Sequence, residues 1–170
     1  MRLTAPISLV AASLALAMAA CGGGGGEAES TGAGDTAPAP RADVATRTLA
    51  EGPRGPLRAG EVVARSAAEW QAAWREHEGP GDPPATDGVD FTNSVVVGLF
   101  AGQRPTGGFR VVPATVNRGG SDLYAVGYEV VSPGKGCMVS QGLTSPFLVM
   151  SIPTAPEVTF SSNQRAQDCQ

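Results

Sequence analysis

Ser94-Val95-Val96-Val97-Gly98-Leu99-Phe100-Ala101 is the stretch that decides the fold. It is a short apolar run rich in β-branched valine, which restricts χ1 and suits a pleated surface better than a helix. Eight residues are also few for a buried helix, so the run predicts a central strand. Downstream, Gly108–Val116 and Asp122–Val131 predict two more strands, joined by the turn signal Asn117-Arg118-Gly119-Gly120. Tyr124, Val126, Tyr128 and Val130 alternate onto one face of the second. Ser132-Pro133-Gly134-Lys135 fits a type II turn, with Pro at the second position and Gly at the third. Phe147–Ile152 and Val158–Ser161 predict the last two strands. Upstream, Glu61–Arg65 predicts a short first strand.

One segment reads as helix. Ser66-Ala67-Ala68-Glu69 is a capping box, and Trp70, Ala73, Trp74 and His77 follow at helical spacing on one face. Gly79-Pro80 is the stop. Both tryptophans lie on this face and are expected to fasten the helix to a sheet, since aromatic side chains bury large areas. The expected architecture is mostly β (α+β): an antiparallel sheet, sandwich or open barrel of about six strands with one packed α-helix.

The amino terminus reads as an address. Arg2 precedes the apolar run Ile7–Met18, and Met18-Ala19-Ala20 places small residues before Cys21. The run falls short of the ~20 apolar residues that span a bilayer and has the length of a signal-peptide core. The segment resembles the bacterial lipobox, with Met18 where leucine is usual. That resemblance implies that residues 1–20 are a signal peptide and that Cys21 is lipidated and tied to the membrane; ordinary secretion is the alternative. Residues 21–58 are dominated by Gly, Ala, Pro, Thr and Ser, and are expected to be a flexible tether with too little apolar surface to offset its ordering entropy. Residues 59–170, about 110 in all, are left for one domain. The expected location is the cell envelope, lipid-anchored outside the cytoplasm at the outer membrane or cell surface.

Composition excludes some partners. The chain holds 12 Lys+Arg against 16 Asp+Glu. Removing residues 1–20 takes one arginine and no acid. An acidic chain with no basic cluster in its sequence argues against nucleic acid and offers no polybasic segment to anionic lipid.

Catalytic motifs are missing. His77 is the single histidine, with no Ser or Asp motif beside it, and no GxSxG, HExxH, P-loop or dinucleotide fingerprint occurs. Asp82, Asp87 and Asp90 lie in a Pro/Gly-rich loop, but their spacing does not match a calcium loop. No enzyme activity, cofactor or metal is expected. With Cys21 assigned to lipid, Cys137 and Cys169 form an even pair in an oxidising compartment and are expected to be disulfide-bonded.

Three segments carry a family resemblance. Val95–Ala101 leads into Gly102-Gln103-Arg104-Pro105-Thr106-Gly107-Gly108-Phe109. Pro133-Gly134-Lys135-Gly136-Cys137 follows, and then Gln141-Gly142-Leu143-Thr144-Ser145-Pro146-Phe147. Together with the tryptophan helix and Val89-Asp90-Phe91 they resemble the carboxy-terminal domain of the PrcB family over roughly residues 60–161. Those are bacterial envelope lipoproteins named after a subunit of a surface protease complex. Phe109 stands where the family more often has tyrosine. The resemblance implies a non-catalytic accessory role, binding or stabilising an extracytoplasmic partner such as a protease. From the residues, Arg104–Phe109 reads first as a hairpin connection, with Gly107 and Gly108 permitting φ > 0. The functional reading makes Pro105, Thr106, Gly107, Gly108 and Phe109 a rigid partner-binding loop offering backbone N–H groups and a ring. Gln141, Thr144 and Pro146 are the companion candidates, although Gln141 and Thr144 equally suit satisfying backbone groups. Pro105–Phe109 is also similar to the Pro-Thr-Thr-Gly-Tyr loop of chagasin-like protease inhibitors, whose Arg-Pro-Trp loop has no counterpart here. An enzyme of unrecognised type is the remaining alternative.

Overall fold

The computed structural model describes residues 44–119 and 122–169. The expected signal peptide, Cys21 and the tether up to residue 43 lie outside the described residues, as do Gly120 of the expected turn and Ser121 after it. The elements are β1 (Arg47–Gly52), β2 (Gly60–Ala64), α1 (Ala67–Glu76), β3 (Ser94–Phe100), β4 (Arg110–Arg118), β5 (Leu123–Pro133), β6 (Phe147–Pro153) and β7 (Glu157–Gln167). They form a four-stranded sheet in the order β1-β6-β3-β2 and a three-stranded sheet in the order β4-β5-β7. The architecture is therefore two packed sheets and a covering helix, not a closed barrel.

The unalternating run at 94–101 has a direct physical cause. Val95, Val97, Leu99 and Ala101 face the second sheet and share a core with Tyr124, Val126, Tyr128 and Val130 of β5. Val96 and Phe100 face the other way, towards Trp70 and Trp74 of α1. β6 divides likewise, with Leu148, Met150 and Ile152 on the inner side and Phe147 and Val149 under the helix. Strands buried on both faces must be apolar throughout.

The helix is placed by its aromatics. Trp74 meets Phe100 and Phe147 edge-on, at 5.9 and 5.5 Å between centroids. Each such pair contributes about 1 kcal/mol beyond the area it buries. Both indoles donate to the returning loop, Trp70 Nε1 to Pro84 O at 2.9 Å and Trp74 Nε1 to Pro80 O at 3.4 Å. Ser66 is the N-cap, accepting from Glu69 N at 3.2 Å. The Glu69 carboxylate reaches one residue past the cap and accepts from Arg65 N.

Four expectations change. The end of the expected tether is folded: β1 pairs antiparallel with β6, and Gly55 and Pro56 are buried. Seven strands are found among the described residues, and β7 runs to Gln167 rather than ending at Ser161. β5 and β7 pair in parallel, whereas every other strand pair is antiparallel. The reason is connectivity: the chain leaves β5, returns through β6 in the opposite sheet and re-enters beside β5 in the same direction. Finally, β5 extends through Pro133 and the turn falls at Gly134–Cys137, where Cys137 N donates to Gly134 O at 3.3 Å. The left-handed residue is Gly136, at φ 86°, not Gly134.

Candidate functional site

One end of the two-sheet body collects three connecting loops. Phe100 at the end of β3 lies opposite Phe147 of β6 and Gly60 of β2, and Phe147 lies opposite Gly52 of β1. The loops 53–59, 101–109 and 134–146 therefore emerge together, and we call this end the loop pole. Residues 101–109 pass from β3 in one sheet to β4 in the other, so the expected hairpin is instead a crossing between sheets. The cause is that the inner faces of both strands belong to the same core.

The loops bind one another through backbone groups. Arg104 N donates to Thr144 O at 2.6 Å and Thr144 N returns to Arg104 O at 3.0 Å. Thr144 Oγ1 donates to Thr106 O at 2.7 Å. On the other side, Ser145 N donates to Pro53 O at 2.8 Å and Gly55 N to Ser145 O at 2.7 Å. The buried Ser145 hydroxyl donates to Gly55 O at 2.7 Å. Gly107 N to Ser140 O at 2.9 Å and Gln103 N to Leu57 O at 3.0 Å complete the set. Residues 144–145 are thus the middle thread of a hydrogen-bonded clamp that fixes all three loops.

The candidates are not equally available. Pro105 and Gly108 are exposed, and Thr106 is half-buried. Gly107 is buried with its N–H already donated, so it offers none to a partner. Phe109 is half-buried beneath the Arg104 guanidinium, 5.7 Å from its ring centroid. Gln141 is exposed and donates to Val139 O. Thr144 serves the clamp. Pro146 is buried and cannot meet a partner, because it leads directly into the core strand β6. Cys137 and Cys169 are joined by a disulfide with Cα atoms 5.5 Å apart, tying the end of the chain beside the pole.

Sequence reasoning missed what the pole displays. Among the described residues the exposed large apolar side chains are Met138 (101%), Leu143 (69%) and Leu57 (46%), and all three stand in these loops. A large apolar residue isolated within Gly-Lys-Gly-Cys-Met-Val-Ser-Gln-Gly-Leu was the readable signal. The stretches 53–59, 101–110 and 134–146 also carry Arg54, Arg58, Arg104, Arg110 and Lys135 with no Asp or Glu. The fold gathers bases that are dispersed in the sequence. Arg58 pairs with Glu78 at 2.9 Å, both well exposed, which contributes little to stability. Arg104 donates through Nη2 to Ala101 O at 2.9 Å, while its buried Nε has no partner. Beside Phe109, a groove of about 320 Å³ opens between Glu51–Pro53 and Arg110–Val112, with Phe147 also in its lining.

Chemistry of other kinds is not assembled here. His77 packs its ring on Phe100 at 5.3 Å, with Nδ1 3.0 Å from Ala73 O. Among the described residues no three of His, Cys, Asp and Glu gather to hold a metal. Asp90, whose carboxyl is held below the usual range by hydrogen bonds from Asn93 and Thr92, organises the turn before β3. No helix among the described residues is long and apolar enough to cross a membrane.

A two-sheet domain with a helix on one face and a hydrogen-bonded loop pole is the class of protein these features define. Residues 95–153 match the family model described as PrcB C-terminal, so this segment is similar to that family's C-terminal domain. The match spans β3 to β6 and the clamp at Thr144–Ser145; the tryptophan helix lies outside it. No curated protein and no solved structure matches the chain.

Proposed function

We propose that this chain is a non-catalytic accessory protein of the cell envelope, anchored by lipid on Cys21, whose loop pole grips an extracytoplasmic protein. The carrying observation is that Met138, Leu143 and Leu57 all stand exposed on loops that the clamp holds rigid. Exposed apolar side chains on a fixed scaffold bind without an ordering cost of the loop itself. The PrcB resemblance supports an accessory role beside a protease, and the tether would give the domain reach. A chagasin-like inhibitor would need Pro105–Phe109 to project. Here Gly107 is buried and Phe109 lies against Arg104, so the accessory reading is carried forward.

The test is co-purification of the full chain from detergent-solubilised envelopes. A Met138→Ser/Leu143→Ser variant should lose the co-purifying protein while its Tm stays unchanged. Retention of the same protein by that variant would sink the proposal.

A further inference from the structure

We infer that the loop pole takes an acidic, extended peptide segment of its partner, with an apolar side chain seated in the groove between Phe109 and Phe147. The inference rests on the pole being the binding surface and adds what is bound there.

Charge is the first argument. The chain is net −4, yet the three loops contribute four bases and no acid, and Arg110 follows as the first residue of β4. Acids near the rim are Glu51, on the β1 side of the groove, Glu61, which accepts from Tyr128, Glu78, spent on Arg58, and Asp168, beside Gly134. A basic pole on an acidic body attracts and orients an acidic occupant. Shape is the second. The groove is concave and lined by Pro53, Phe109, Val111, Val112 and Phe147, with Arg110 at its side. A concave apolar site accepts an inserted side chain, whereas a lipid surface asks for an amphipathic face laid flat. The flanking strands are the third. β1 and β4 are both sheet edges, and their bulges, at Thr48/Ala50 and Pro113/Thr115, begin only where the groove's lining ends. The edges beside it are regular and present main-chain groups to an extended segment.

The probes are two fluorescein-labelled peptides, one alternating Phe with Asp and the other Phe with Lys, and vesicles containing phosphatidylglycerol. Each is titrated against the full chain in detergent or, for vesicles, by flotation. The Phe-Asp peptide should bind and weaken as salt rises; the Phe-Lys peptide should not bind. Arg54→Glu/Lys135→Glu should weaken the Phe-Asp peptide about tenfold. Neither side chain makes a hydrogen bond or ion pair among the described residues, so the fold does not rest on them. Equal binding of both peptides, or indifference to the double variant, would overturn the inference. So would capture of the vesicles without the peptide, or self-association of the chain that the double variant abolishes. If the acidic peptide fails while Met138→Ser/Leu143→Ser still releases the native partner, the pole stands as the binding surface and only its acidic occupant falls.

Discussion

Arg104 and Thr144 exchange both of their backbone hydrogen bonds, at 2.6 and 3.0 Å, although they come from different inter-sheet loops. The Thr144 hydroxyl extends this pairing to Thr106, so one residue fixes the loop that carries Phe109. Thr144→Val keeps the shape and removes the hydroxyl. It should cost about 1 kcal/mol, read as a lower urea midpoint with unchanged slope. Amide exchange at Gly107 should also speed up. Thr144→Ser, which retains the donor, should stay near wild type in exchange at Gly107.

The two sheets are also joined by Tyr128, whose Oη donates to Glu61 Oε1 at 2.5 Å. Burial, with help from Glu61, pushes the Tyr128 phenol up to about 12 from its ordinary 10.0. The folded state thus holds this proton more tightly than the unfolded state. The stabilisation is complete below pH 10 and is lost as pH rises through about 12. Thermal melts across that window should show Tm falling more steeply for wild type than for Tyr128→Phe. Parallel curves would contradict the assignment.

The disulfide closes the chain across a sequence separation of 32. In the chain-entropy model a loop of that size is worth about 4 kcal/mol. The part of β7 beyond Phe160 is exposed and held largely by backbone pairing with β5, so it should loosen first. Cys169→Ser should unfold at lower denaturant than wild type and be indifferent to reductant, while wild type should lose stability on reduction.

Strands with dense apolar signal were legible in the sequence, and edge strands were not. The run at 94–101, the alternating tyrosines of β5 and the Ser66–Glu69 cap each follow from burial or from a local hydrogen bond. β1 follows a Pro/Ala-rich stretch and has only Leu49 as a large apolar residue, because an edge strand needs little burial beyond its pairing with β6. β7 past Phe160 is polar for the same reason. Which sheet a strand joins depends on contacts distant in sequence, so the crossing at 101–109 and the parallel β5–β7 pair carried no local mark. The clamp was half legible: Thr144 was marked as a residue able to satisfy backbone groups, but its partners lie in another loop. The basic pole was hidden because its five bases come from three separate stretches.

Site-specific crosslinking tests the central claim most directly. A photo-reactive residue replaces Met138 or Leu143 at the pole, or Ala72 on the exposed surface of α1, in the full chain expressed in its native cells. The account predicts one and the same protein crosslinked from both pole positions and none from Ala72. Crosslinks to that protein from Ala72 and none from Met138 or Leu143 would place the binding surface elsewhere and contradict it.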